Sequence, residues 1–351
     1  MKFVYHAGCL DHVQWPGHPE RPERVKAIVD RLEGETPART FQTPRRARLR
    51  DLTRVHEDTF VERMRGAAEG PYDADTFVHK ETFGLALLSA GAALEAARVA
   101  LGTGEEAFAL ARPPGHHAGS SFAGGFCYFN NVAIAADFLA RDKKRAPVAI
   151  VDIDVHHGNG TQQIFEERDD IVYLSTHQWG IFPGTGKAGE VGKGAGRGRV
   201  VNVPLPPGSG DATFKLAWER LLLPVLRAAR PRAVVVSLGL DAHYDDPLAG
   251  LTLSSSAYID VCARIAAFAR EEAGAPAVFV LEGGYSLAAL SETVAGIAAA
   301  VEGRPFSTGL NTVHDASGVG RAAVERAVGA QRAFWDLGPA PRGRGRRRAV
   351  K

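Results

Sequence analysis

At 351 residues, 45% hydrophobic and 23% charged, the chain can bury a large core in one α/β domain or two smaller ones, and its composition is that of a soluble globular protein. The net charge of +2 hides an asymmetry: Pro341 to Lys351 carries five Arg, one Lys and no acid, and taking that +6 from +2 leaves −4 for residues 1–340. Only the tail is basic, so contact with nucleic acid is expected nowhere but through its Arg-Gly repeats, and a solvated, disordered tail from 338 to 351 is the simpler reading.

In chain order, the opening Met1-Lys2-Phe3-Val4-Tyr5-His6 meets Asp11, His12 and Glu20 before any apolar run long enough for a signal peptide, so secretion is not expected. Cys9, Cys127 and Cys262 are odd in number and scattered, which suits neither a disulfide framework nor a Cys-type zinc knuckle and points to a reducing, cytoplasmic setting. Val25, Ile28, Val29 and Leu32 have helical spacing, as do Phe83 to Ala100, Phe129 to Leu139, Phe214 to Ala229, Tyr258 to Ala269 and Leu287 to Val301. Leu85 to Leu101 is the most membrane-like stretch, but Glu95 and Arg98 interrupt it, and it is expected to fall short of a span. Apolar, β-branched runs of strand length recur at Ala107-Leu110, Val148-Val151, Ile171-Leu174, Val200-Val203, Val234-Leu238 and Ala277-Leu281. Strands alternating with such helices predict one α/β domain with a central, mainly parallel sheet and helices on both faces. A last helical pattern, Arg321 to Trp335, is expected to pack back on a domain ending near 337.

The polar residues that stand out sit just past these strands: Arg112 to His117, Asp152 to His157, Ser175, Asp241, and Glu282 to Tyr285. Residues beyond the carboxyl ends of parallel strands gather along one edge, where α/β enzymes place their sites. In Val151-Asp152-Ile153-Asp154-Val155-His156, the acids and the imidazole alternate with apolar residues and share one face of an extended segment. Such a buried polar face needs a compensating partner, and a divalent cation supplies it. Asp154 and His156, with Asp241 from a distant strand end, give three ligands with positions left for water and substrate, a count that fits catalytic zinc. The competing reading, ion-paired core carboxylates and a satisfied histidine, suits a lone Asp or His better than this cluster.

His116 and His117 lie on a loop shaped by Pro113, Pro114 and Gly115 and suit proton shuttling, with Asp152 placed to orient one ring. In Glu282-Gly283-Gly284-Tyr285 the glycines permit a tight turn, and the phenol can donate to a developing oxyanion or simply cap the core. Gly184-Thr185-Gly186-Lys187-Ala188-Gly189 matches a dinucleotide fingerprint literally, but Pro183 precedes it and no helix pattern follows, so a loop is expected. The chain has no Gly-x-Ser-x-Gly, His-Glu-x-x-His or Walker-type phosphate loop, which removes support for serine hydrolase, zincin and nucleotidase readings.

These residues resemble the histone deacetylase family, especially its class II-like bacterial branch with acetoin-utilisation proteins and acetylpolyamine amidohydrolases. The resemblance runs from His18-Pro19-Glu20-Arg21-Pro22 through Arg112 to His117, Gly125 to Asn131, Asp152 to Gly160, Phe182 to Gly186, Asp241 with Asp246-Pro247-Leu248, and Glu282 to Tyr285. It implies an arginase-deacetylase fold and one catalytic zinc on Asp154, His156 and Asp241, with iron or manganese as the competing metals. It makes His117 the general acid/base, His116 its partner bonded to Asp152, and Tyr285 the group that polarises the substrate carbonyl. It implies an apolar tunnel at Gly125, Phe126 and Phe182, Leu248 at its gate, Arg24 near its foot and Asp75 on its rim. It also implies a structural potassium ion on the Asp152 side chain, the Ser175 hydroxyl and the backbone carbonyls of Asp154, His156 and Thr176. Asn159 stands where class I members have aspartate, and Glu282 where they have glycine. Where manganese ureohydrolases of this fold bridge two metals with an Asp-x-Asp pair, Gly239 precedes Asp241, which implies a single metal.

Three functions compete. The first is a deacetylase acting on N-acyl-lysine in proteins or peptides. The second is an acetylpolyamine or other small N-acetyl-amine deacetylase, favoured by Asp73, Asp75 and Asp245 as rim acids and disfavoured by Leu248, which offers a cationic mid-chain nitrogen no partner. The third is a catalytically inactive, metal-bound partner-binding protein, and the oligomeric state, homo-oligomer or monomer, is left open.

Overall fold

The computed structural model describes residues 1–36, 38–311, 315 and 319–338. The Arg/Gly tail falls, but for Gly338, outside the described residues. Chain order is β1 (Lys2–Val4), α1 (Glu23–Glu35), β2 (Phe41–Gln42), α2 (Leu49–Leu52), α3 (Asp58–Arg65), β3 (Gly70–Pro71), β4 (Phe77–Val78), α4 (Thr82–Thr103), β5 (Ala107–Ala109) and α5 (Asn131–Asp137). There follow β6 (Val148–Asp152), α6 (Asn159–Phe165), β7 (Ile171–Gln178), β8 (Val200–Leu205), α7 (Asp211–Ala217), α8 (Leu223–Ala229), β9 (Ala233–Leu238), α9 (Ser255–Glu271), β10 (Val278–Leu281), α10 (Leu287–Val301) and α11 (Arg321–Gln331).

Eight strands form one sheet in the order β2-β1-β5-β10-β9-β6-β7-β8, every neighbouring pair parallel. The chain leaves β5, passes over the positions later filled by β10 and β9, and re-enters at β6, so a crevice opens at the carboxyl ends of these central strands. Alternation along β6 divides the core, with Ala149 and Val151 facing one hydrophobic cluster and Val148 and Ile150 the other. Burial on both faces explains why the strands read as unbroken apolar runs.

Each apolar run read as a strand is one. The edge strand β2, its neighbour β1 and the β3–β4 hairpin, too short to carry a pattern, come from the structure alone. Helix α5 starts at Asn131, later than the apolar spacing from Phe129, because the Asn130 side chain caps it by accepting from the Ala133 amide at 2.9 Å. The Phe214 to Ala229 pattern is helical throughout but widens into a π-turn at Trp218–Leu222. Helix α4 corrects an expectation: at 22 residues it is long and apolar enough to cross a membrane. Its burial settles its place instead, since 67% of its apolar window lies inside the fold, against β1, β5, β10 and α5. Helix α11 ends before Trp335 but packs back as expected: Gln331 Nε2 donates to the Val200 carbonyl at 2.7 Å and Trp335 Nε1 to that of Gly198 at 2.9 Å.

Candidate active site

Asp154, His156 and Asp241 converge beyond β6 and β9, with one ligand atom from each within 4.8 Å of the others; they are the one such group among the described residues. Asp154 Oδ1 accepts from the His156 amide at 2.8 Å and lies 3.1 Å from His156 Nδ1, while its Oδ2 accepts from the Gly283 amide at 2.8 Å. Asp241 Oδ1 accepts from the Val155 amide at 2.8 Å. Its Oδ2 is buried without an aligned hydrogen bond, although His156 Nδ1 lies 3.3 Å away. Burial and the charge of Asp154 push the Asp241 carboxyl up. Burial opposes the His156 charge, but the adjacent Asp154 and Asp241 carboxylates outweigh it and push the ring up to about 10. Two buried carboxylates, one with an oxygen that no hydrogen bond satisfies, and an imidazole converge where a divalent cation would satisfy all three, so the residues fit a metal.

Two glycines make this approach possible. A Cβ on Gly239 would lie 2.0 Å from Asp154 Oδ2, and one on Gly283 would lie 2.0 Å from Asp241 Oδ2. A second carboxylate at position 239 has no room in this arrangement, in keeping with a site for one metal.

The two histidines differ by their partners. His116 Nδ1 lies 3.1 Å from Asp152 Oδ2, which also accepts from the Tyr173 hydroxyl at 3.0 Å. Burial works against the His116 charge, but Asp154 and Asp152 overcome it and push the ring up to about 10. His117 Nδ1 lies 2.8 Å from Asn159 Oδ1, and burial together with the neighbouring His116 and His156 holds this ring well below the ordinary histidine range. Their loop hangs on Glu282, whose Oε2 accepts from the amides of Gly115 at 2.7 Å and His116 at 3.2 Å while Oε1 accepts from the Ser237 hydroxyl at 3.1 Å.

Tyr285 is held by charged neighbours. Its amide donates to Asp246 Oδ2 at 2.6 Å, and Asp246 Oδ1 accepts from the Leu248 amide at 3.0 Å, so one carboxylate fixes both the phenol's backbone and the gate. Arg24 sits beneath, its guanidinium carbon 4.9 Å from the Tyr285 ring centre, its Nε donating to the Gly284 carbonyl at 2.6 Å and an Nη to that of Glu282 at 2.5 Å. Buried Glu20 neutralises Arg24 and Arg112, accepting at 3.1 and 2.7 Å. Sequence reading quoted Glu20, Asp246 and Glu282 within motifs without giving them these tasks. Their partners lie far away in sequence, so no local pattern marked these tasks.

A cavity of about 320 Å³ opens above the metal-ligand group. Its wall takes in His116, His117, Asp154, His156, Tyr285 and the predicted contacts Gly125, Phe126, Phe182, Leu248 and Asp75. Phe182 packs edge-on against His117 at 4.9 Å between ring centres, and Phe126 against Tyr285 at 6.1 Å. Arg24, Asn159 and Asp241 stand behind this wall, and His18 and Trp15, unassigned from sequence, are part of it. Of the predicted potassium set, Asp152 and Ser175 are brought side by side in the β6–β7 register. The Ser175 hydroxyl lies 2.9 Å from His177 Nδ1, and the buried Thr176 hydroxyl has no partner.

A histone deacetylase domain model matches residues 18–301. A probable deacetylase of Archaeoglobus fulgidus is 41% identical over 312 residues, covering 87% of each chain. A histone deacetylase-like amidohydrolase of Pseudomonas aeruginosa is 38% identical, covering 81% of this chain and 79% of its own. The crystal structure of the HDA15 HD domain superposes with a TM-score of 0.85 at 32% identity, covering 96% of this chain and 95% of that one.

Proposed function

The chain belongs to the histone deacetylase family of deacetylases and amidohydrolases, and on that premise we propose that it is a zinc-dependent hydrolase removing acetyl or short acyl groups from N-acyl-lysine in proteins or peptides. The convergence of Asp154, His156, His117 and Tyr285 on one cavity, with Asp241 grouped with the first two just behind its wall, carries this reading. Bound by those three ligands, zinc would polarise the amide carbonyl and bring the pKa of water to about 7. His117 then moves the proton. Its Nδ1–H donates to the Asn159 amide oxygen, leaving Nε2 as the acceptor for a proton from the attacking water, and the same nitrogen delivers it to the amine as the C–N bond breaks. His116, charged against Asp152, orients its neighbour and offsets the buried carboxylates. Tyr285 donates its phenol proton in a hydrogen bond to the carbonyl oxygen as negative charge develops there. Gly125, Phe126, Phe182 and Leu248 suit the apolar stem of a lysine, and Asp75 on the rim suits the backbone N–H groups of a peptide.

An acetylated small amine is the second reading, supported by the acid Asp75 on the cavity wall. The deciding experiment measures kcat/KM of metal-quantified protein on acetyl-lysine peptides, longer acyl-lysines and N-acetylpolyamines side by side. Preference for acyl-lysine is expected. Preference for acetylpolyamines moves the assignment to the second reading, and failure to turn over any of them at full metal content sinks both.

A further inference from the structure

Away from the metal-ligand cavity, with no lining residue in common, lies a second concavity with unlike chemistry. It encloses about 400 Å³ between residues 45–51 and one face of α4. Arg45, Arg46, Arg48, Arg50 and Arg98 line it, with Asp51 and Glu95 as the two acids of its wall and Asp142 within electrostatic reach of Arg50. Both acids are engaged already, since Asp51 accepts from the Arg48 amide at 2.9 Å and Glu95 pairs with Arg98 at 3.3 Å. The guanidiniums of Arg45, Arg46, Arg48 and Arg50 have no acceptor among the described residues.

The backbone that presents them is fixed. The Ala47 amide donates to the Leu87 carbonyl of α4 at 2.8 Å. One turn on, the chain passes so close to Gly91 that a Cβ there would lie 1.9 Å from the Arg45 carbonyl oxygen. The Arg46 guanidinium lies over Gly84, a third contact with the same helix. A cluster of like charges costs Coulomb energy in the free protein, and a ligand of high negative charge density removes that cost on a scaffold whose ordering is already complete.

We propose that this pocket binds a small anion carrying two or more linked phosphate groups, read by the forked guanidiniums of Arg45, Arg46, Arg48 and Arg50. The enclosed volume suits a small molecule. Among the described residues none of the large apolar side chains exposed on the surface lies at this pocket, so it lacks the stacking platform that single-stranded nucleic acid uses.

Isothermal titration of the metal-loaded protein with inorganic pyrophosphate at about 0.15 M salt, where charges beyond roughly 8 Å are screened, tests the proposal. The expected result is saturable binding at one site, weakened at least tenfold in the Arg45→Gln/Arg48→Gln double variant and unchanged in Arg232→Gln, an exposed arginine elsewhere. Both variants should retain wild-type melting temperature and hydrolase activity. Pyrophosphate binding unaffected by the double variant would locate it elsewhere, the metal centre included, and overturn the proposal. Equal weakening by Arg232→Gln would reduce it to general charge attraction, and binding of a single-stranded oligonucleotide without binding of pyrophosphate would replace it with another partner.

Discussion

His117 Nδ1 meets the side-chain oxygen of Asn159 at 2.8 Å, whereas His116, one residue earlier, meets the carboxylate of Asp152 at 3.1 Å. An amide fixes a tautomer but stabilises charge far less than a carboxylate, so burial and the neighbouring His116 and His156 keep His117 neutral, while Asp154 and Asp152 keep His116 charged. Asn159→Asp should therefore raise the His117 pKa by at least ~1 unit, the effect of an opposite charge at hydrogen-bond distance. A raised pKa keeps His117 protonated to higher pH, so the acid limb of kcat/KM moves upward. An unmoved limb would take His117 out of the base role.

Asp241 Oδ2 is a buried carboxylate oxygen with no hydrogen bond, beside a second acid and a histidine. Asp241→Ala should abolish stoichiometric zinc while leaving the far-UV circular dichroism of the fold. Metal analysis of the dialysed variant decides it, and full retention of zinc would remove Asp241 from the ligand set.

Tyr285→Phe keeps the ring against Arg24 and Phe126 and deletes only the phenol. If the hydroxyl stabilises the developing oxyanion, kcat should fall by about 10²–10³, the usual cost of one such donor, with metal content unchanged. Full turnover in the variant would leave Tyr285 as a core-capping residue.

The metal-ligand group was legible in the sequence because its signal is local. Asp154 and His156 alternate with apolar neighbours on one strand end, and Asp241 follows another buried strand. The central strands were legible for the same reason, each being an unbroken apolar run buried on both faces. Glu20, Asp246 and Glu282 were not, because their tasks join residues far apart: Glu20 with Arg112, Asp246 with Tyr285, Glu282 with Gly115. Strands β1 and β2 were missed because three and two residues cannot show a period, and their identity rests on the neighbour they pair with.

Glu282 ties the histidine loop to the sheet, and burial pushes its carboxyl up to about 7. Glu282→Ala would leave the amides of Gly115 and His116 without an acceptor, at ~1–3 kcal/mol for each buried donor. Loss of stability and of kcat together is expected. Glu282→Gln retains an acceptor for both amides and should recover most of the stability. If Ala and Gln behave alike, the hydrogen bonds to the loop are not what Glu282 contributes.

Glu302, at the end of α10, gathers Arg39 at 2.9 Å, Arg304 and the Met1 amino group at 3.4 Å. Burial alone would raise its pKa, but the hydrogen bonds from Arg39 and Arg304 prevail and hold it at about 2. A carboxylate depressed in the folded state adds stability above its unfolded pKa, near 4.5, and that contribution fades as pH falls from there towards 2. Glu302→Gln should thus lower the urea midpoint at pH 7 and narrow its gap from wild type progressively below pH 4.5. The clamp joins the α10 terminus to the segment before β2, so the variant should also loosen the edge strand first, seen as faster amide exchange at Phe41 and Gln42 than in the central strands. A gap that stays constant down to pH 2 would mean that the charge of Glu302 is not what holds this edge.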